Sequence, residues 1–264
     1  SIENTKVASG RIRKNHIYRG GFFFNKGEED VVTLKTEKKI CSLVDLRSSD
    51  EVPHDFEPMV KNCGLDFYNA PLIPFWRSVW YMITKVTWST FVTCIHDVIQ
   101  AIFTCSLSLF IQSMKSTSTT FPLGWYYPVI YEYGRKELKG LFKFIAKHSD
   151  RPFIFYCTFG KDRTGLVGCM LEMLLGASID ECIKDYKESD KSLDEHLIVA
   201  KDHFKTFGGS EKGIDLARTD EKLLIDFNDY IIKNYGTIDN YFLNFVGLSQ
   251  DEIDTIRKNC LEDD

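Results

Sequence analysis

The apolar run Phe153-Ile154-Phe155-Tyr156-Cys157 ends in Thr158-Phe159-Gly160-Lys161-Asp162-Arg163-Thr164-Gly165 and opens at once into a second apolar stretch, 166–175. The first run reads as a strand buried on both faces. The second reads as a helix, stopped by Gly176. A strand, a tight loop and a helix N-terminus together make an anion site. The first helical N–H groups have no internal partner, and the helix dipole places partial positive charge there.

Cys157 stands at the floor of this site and Arg163 at its far lip, five residues lying between them. A loop of that length can curl so that its amides and a guanidinium face one centre, the place for three phosphate oxygens. The arginine can hold two of them bidentately, and the same positive field favours a thiolate. A thiolate there can attack phosphorus and split a hydrolysis into two easier steps through a cysteinyl-phosphate. Thr164 can then donate its hydroxyl to the departing sulfur. A structural cysteine beside a surface arginine is the bland alternative, and it gives no packing reason for Cys-Thr-Phe-Gly-Lys-Asp-Arg at a strand end.

These residues resemble the signature of the protein tyrosine phosphatase superfamily. The fuller pattern, Cys157-Thr158-Phe159-Gly160-Lys161-Asp162-Arg163-Thr164-Gly165, is similar to the loop of the bacterial secreted tyrosine and phosphoinositide phosphatases and their fungal relatives. The resemblance extends to Tyr18-Arg19-Gly20, to Asp45-Leu46-Arg47-Ser48 with Glu51, to Asp185-Tyr186 with Ser189, and to the stretch from Tyr235 to Ser249. It implies an α/β fold: a central sheet of about four to five largely parallel strands, flanked by helices, with a helical insertion near the active site. It also implies roles. Cys157 is the nucleophile, Arg163 and Thr164 its catalytic partners, and Thr158, Phe159, Gly160 and Lys161 the phosphate cradle. Asp45, Arg47 and Tyr156 support the loop. The preferred reading of Asp45, Arg47 and Glu51 is an ion-pair cluster beside the site.

At 264 residues, with 44% hydrophobic and 27% charged residues, the chain reads as one ordinary globular domain, 1–264. A net charge of −5 argues against a general nucleic-acid binder, so an anionic substrate must meet a local basic site. The eight cysteines show no C-x-x-C spacing and no accompanying histidine pairs, so neither a metal site nor a disulfide framework is suggested. No cofactor is implied. The cysteines and the lack of a charged-then-apolar leader point to a reducing, cytoplasmic setting.

Short strands are expected around 16–21, 40–48 and 65–70, a helix over 30–38, and one long helix from Trp125 to Lys147 with Gly134 and Gly140 as weak points. Ser178 with Glu181 and Ser249 with Glu252 are capping boxes. Further helices are expected over 192–207, 221–234 and 251–259. The insertion, 77–122, holds one apolar helical face through Phe91, Val92, Ile95, Val98, Ile99, Ile102 and Phe103. Its uncharged run Val98–Met114 falls short of the ~20 residues of a bilayer span. The insertion reads either as a helix packed on the core or, through 79–114, as a lid or interfacial helix meeting lipid, as the bacterial relatives' helical lid suggests.

Two departures from the family pattern bear on mechanism. The segment Pro71–Arg77, where most relatives carry a mobile acidic loop, has no carboxylate. Asp162 is the alternative general acid, as in the myotubularin lipid phosphatases, or else only an anchor for its neighbours; Asp66 and Asp97 are poorer candidates. Tyr156 replaces the histidine that usually precedes the cysteine. For substrate, Lys161 beside Arg163 suits a second phosphate on an inositol ring, whereas Phe159, Tyr68 or Trp76 suit the aromatic ring of phosphotyrosine. The partner is therefore a phosphorylated protein or a phosphoinositide. The rival reading is a pseudophosphatase that binds such a group without turning it over.

Overall fold

The computed structural model describes residues 6–7, 10–22, 24, 27–73, 80–81, 84, 126–190 and 218–262. Most of the insertion at 77–122, Trp76, Asp97 and the expected helix over 192–207 lie outside the described residues.

Four strands pair in parallel into one sheet: β1 (Ile17–Gly21), β2 (Ser42–Asp45), β3 (Asp66–Asn69) and β4 (Phe153–Cys157), in the order β1-β4-β2-β3. The strand with the unbroken apolar run, β4, sits between two neighbours and is buried at every position. Both of its faces are covered by apolar clusters. On one, Ile154 and Tyr156 join Phe24, Val31, Leu43, Phe56 and Val60, under α1 (Glu28–Glu37) and α2 (Phe56–Asn62). On the other, Phe153, Phe155 and Cys157 join the larger cluster with Phe142, Leu166, Met170, Phe242 and Ile256. All strand C-terminal ends share one edge of a parallel sheet, which is where such folds place their ligand sites.

The long helix expected over 125–147 is instead two, α3 (Tyr126–Tyr133) and α4 (Arg135–His148), broken at Gly134. A Cβ at Gly134 would lie 2.3 Å from the Ile130 carbonyl oxygen, so a side chain does not fit at the break. The two halves face different partners: Tyr131 in α3 packs on Phe227, and Phe142 in α4 on Phe242. The remaining helices are α5 (Asp162–Leu174), a helix over 179–190 (α6), α7 (Glu221–Tyr235) and α8 (Gln250–Cys260). Both capping boxes form. Glu181 returns to the Ser178 amide at 2.9 Å, and Ser249 and Glu252 cap each other's backbone at 3.2 and 2.9 Å. Before α8 the chain makes a π-helical turn, Tyr241–Val246, closed by Gly247 in the left-handed region. No sequence pattern announced that turn. Among the described residues no helix is long and apolar enough to cross a membrane.

Candidate active site

Cys157 is the last residue of β4 and is buried. Beyond it the chain turns through Gly160, whose φ of 68° lies in the left-handed region. A Cβ there would come within 2.4 Å of the Gly20 and Gly21 backbone, so the loop closes against β1 only because position 160 is bare. Two backbone bonds seat the loop between its neighbours. Phe22 N–H donates to the Thr158 carbonyl at 3.1 Å, and Leu46 N–H donates to the Tyr156 carbonyl at 2.8 Å. From Asp162 the chain is helical, and its free N–H groups point back at the loop.

Arg163 returns over the loop and is gripped from the side. Its Nη1 donates to Glu51 Oε2 at 2.7 Å, its Nη2 to Glu51 Oε1 at 3.0 Å and to Thr158 Oγ1 at 3.1 Å. Thr158 donates in turn to Glu51 at 2.8 Å. Burial pushes the Glu51 carboxyl up, but the hydrogen bonds and charge of Arg163, with the Ser48 amide and the Thr158 hydroxyl, outweigh it and hold Glu51 down at about 2. Burial weakens the Arg163 cation, yet Glu51, Cys157 and Asp45 more than restore it. Two of the three residues expected in one ion-pair cluster therefore part from the third. Asp45 and Arg47 pair with each other at 2.7 Å, both buried, and Glu51 instead joins the loop after Cys157 through Arg163 and Thr158.

The Asp45–Arg47 pair forms the floor beside the loop. The Arg47 guanidinium lies 3.8 Å from the Phe22 ring centroid, a cation–π contact, and Asn69 donates to the Asp45 and Arg47 carbonyls. Tyr156 is fully buried among Phe22 and Phe24, and its hydroxyl lies by Asp45. Burial, with the Asp45 carboxylate next, pushes its phenol well above the ordinary value and keeps it neutral. Thr164 is buried too, and its hydroxyl has no hydrogen-bond partner among the described residues.

Lys161 and Asp162 lie side by side, the ammonium 3.4 Å from Asp162 Oδ1 and donating to the Arg218 carbonyl at 3.1 Å. Phe159, at the loop's tip, is 44% exposed, the largest apolar surface on the loop. Tyr68 is turned away and stacks on Phe144. Asp66 begins β3, at the end of the sheet opposite the loop, where Arg151 donates to it at 2.9 Å; it cannot reach a group bound over Cys157.

A second polar cluster braces the loop from behind. Arg19 of β1 crosses α5 at Gly168 and donates to Asp185 at 2.7 Å and Ser189 at 2.7 Å, both in α6. Its neighbours Gly20 and Gly21 are the backbone against which Gly160 closes. Glu172, buried on α5 beside this pair, is pushed well above the ordinary carboxyl value by burial and then by the Asp185 charge, which favours its protonated form. The motif residues Arg19, Asp185 and Ser189 were visible in the sequence, but nothing there paired them. Glu51's partner and the buried Glu172 were likewise not legible.

A buried cysteine at the C-terminal end of a central parallel strand, a tight loop closed against β1 at Gly160 and an arginine held by a glutamate lie together at a helix N-terminus, a place suited to an anion. The family model described as "Tyrosine phosphatase family" matches residues 3–262, and the chain belongs to that family. A tyrosine-protein phosphatase of Nostoc commune is 33% identical over 75 residues, a match covering 28% of this chain and 26% of that protein.

Proposed function

We propose that the chain is a phosphatase that hydrolyses phosphate monoesters, phosphotyrosine foremost, through a cysteinyl-phosphate. The observation that carries this reading is the convergence of Cys157, the loop after it, Arg163 clamped by Glu51, and the buried Thr164 hydroxyl, unpartnered among the described residues, within one strand–loop–helix stretch. A substrate phosphoryl group takes the amides and the outer face of Arg163. The Cys157 thiolate attacks phosphorus, the S–P bond forms, and the P–O bond to the leaving group breaks. Asp162 gives its proton to the departing oxygen. In the second step Asp162 takes a proton from the attacking water, the S–P bond breaks, and phosphate leaves. Thr164 donates to the sulfur that regains its charge, which supplies the partner its buried hydroxyl lacks among the described residues.

Phe159 favours an aromatic leaving group: an exposed ring beside the phosphate site stacks on the ring of phosphotyrosine. Lys161 serves a second phosphate, as on an inositol ring, only by giving up the Arg218 carbonyl, so phosphoinositides are the second reading. The test is phosphate release by wild type, Cys157→Ser and Arg163→Met on a phosphotyrosine peptide and on phosphoinositides. Release from the peptide that vanishes in both variants, with unchanged circular dichroism, is the expected result. Binding without release in the wild type would instead make the chain a reader of phosphorylated groups.

A further inference from the structure

The register of β2 with β3 ends at Asp45 and Asn69, where the Ala70 amide donates to the Asp45 carbonyl at 2.7 Å. The Asn69 side chain carries the pairing further. Its Nδ2 donates to the same Asp45 carbonyl at 3.1 Å and to the Arg47 carbonyl at 2.9 Å. Its Oδ1 accepts from the Ser49 hydroxyl at 3.4 Å. One amide thus holds the chain that leaves β2 at three points, across residues 45–49.

Carbonyls alternate sides along an extended chain. Those of Asp45 and Arg47 turn to Asn69, and the Leu46 carbonyl between them lies 3.5 Å from Arg163 Nη1. The Leu46 amide reaches the Tyr156 carbonyl at 2.8 Å. Past Arg47 the chain closes on itself: Glu51 N–H donates to the Ser48 carbonyl, and Ser48 N–H to Glu51 Oε2, both at 2.9 Å. That turn presents the Glu51 carboxylate to Arg163 at 2.7 and 3.0 Å. The guanidinium is therefore aimed by a segment that lies beyond the last β2–β3 backbone pair and is tied down by Asn69. A group held in its working direction before the ligand arrives has less freedom to lose on binding.

We infer that Asn69 is a positioning residue for phosphate binding: by fixing the backbone of 45–49 it sets Glu51, and through Glu51 the direction in which Arg163 faces a bound phosphoryl group. The inference rests on Arg163 as the phosphate-holding group of the proposed function, and the test separates the two. Affinity for inorganic phosphate is measured by calorimetry, and release from p-nitrophenyl phosphate by absorbance. The proteins compared are wild type, Asn69→Ala, Glu51→Gln, the double variant and Arg163→Met.

Asn69→Ala is expected to weaken phosphate binding and lower kcat/KM about tenfold, within what a displaced positioning group costs. Glu51→Gln should lose at least as much. The double variant should match Glu51→Gln within about twofold, because both changes loosen the same guanidinium. A purely structural amide would lower stability and leave the guanidinium clamped, so the Arg163 side-chain N–H resonances, assigned by their loss in Arg163→Met, give an independent readout. Distinct Nη signals in the wild type should merge in Asn69→Ala as rotation becomes faster. Arg151→Ala, which frees Asp66 at the other end of β3, should leave phosphate affinity unchanged. If Asn69→Ala does not fold, Asn69→Ser, whose hydroxyl is too short to span both carbonyls, is read in the same way. Losses that multiply in the double variant, unchanged Arg163 signals, or an equal loss in Arg151→Ala overturn the inference. So does wild-type behaviour in Asn69→Ala, while loss in Arg163→Met leaves the reading of the site standing. Unchanged binding and release in Arg163→Met removes that reading, and the inference with it.

Discussion

Replacing Glu51 by Gln removes a charge that the fold uses only because Arg163 faces it. The carboxylate accepts two hydrogen bonds from the guanidinium, at 2.7 and 3.0 Å, and further bonds from Thr158 and Ser48. Its proton affinity falls from 4.5 to about 2 on folding, which corresponds to about 3 kcal/mol of preference for the charged form. The side chain is 34% exposed, and solvent screening reduces this to about 1–2 kcal/mol of net stability. Because the folded value lies below the unfolded one, that stability is complete above about pH 4.5 and is lost as pH falls toward 2. Urea unfolding of wild type and Glu51→Gln at pH 7 and pH 3 measures it. The variant should be less stable by about 1–2 kcal/mol at pH 7, with most of the gap closed at pH 3. A gap of the same size at both pH values would mean that shape, not charge, holds Glu51 in place. Phosphate affinity should fall in parallel at pH 7, since the guanidinium loses the group that orients it.

Three other outcomes follow from the geometry. Gly160→Ala places a methyl group 2.4 Å from the β1 backbone at a φ of 68°, and should cost about 3 kcal/mol in denaturant unfolding and abolish phosphate release. Glu172→Gln copies the shape of the protonated acid. Wild-type stability should decline as pH rises above the ordinary carboxyl range, because the folded state holds a proton that the unfolded chain gives up; the variant should lose that decline in thermal unfolding between pH 5 and 8. Arg19→Met strands Asp185 and Ser189 in a largely buried place and should destabilise by about 3 kcal/mol, with a larger loss of phosphate affinity than in a surface arginine variant.

The sequence by itself determined the local units. An apolar run that no polar residue interrupts must be covered on both faces, so 153–157 could only be a central strand, and the structure places β4 between β1 and β2. A single glycine in a short loop marks a tight turn, and Ser249 with Glu252 sets a helix start from four residues alone. Cys157, Arg163 and Thr164 were legible for the same reason: their relation is fixed by a short stretch of chain.

What tertiary structure decided was every relation between distant segments. Glu51 could have paired with Arg47, four residues away, and instead meets Arg163 beyond the end of the neighbouring strand. Tyr127 reads as one more aromatic residue of an apolar helix until the fold sets its hydroxyl 3.3 Å from that of Tyr186. The helix expected across Gly134 breaks where its two halves pack on different partners, and the close Ile130 carbonyl leaves room there only for a glycine. Periodicity and propensity act over a few residues, whereas the partner of a charge or a phenol depends on which strands lie side by side. Strand order and crossover set that, and no local pattern encodes them.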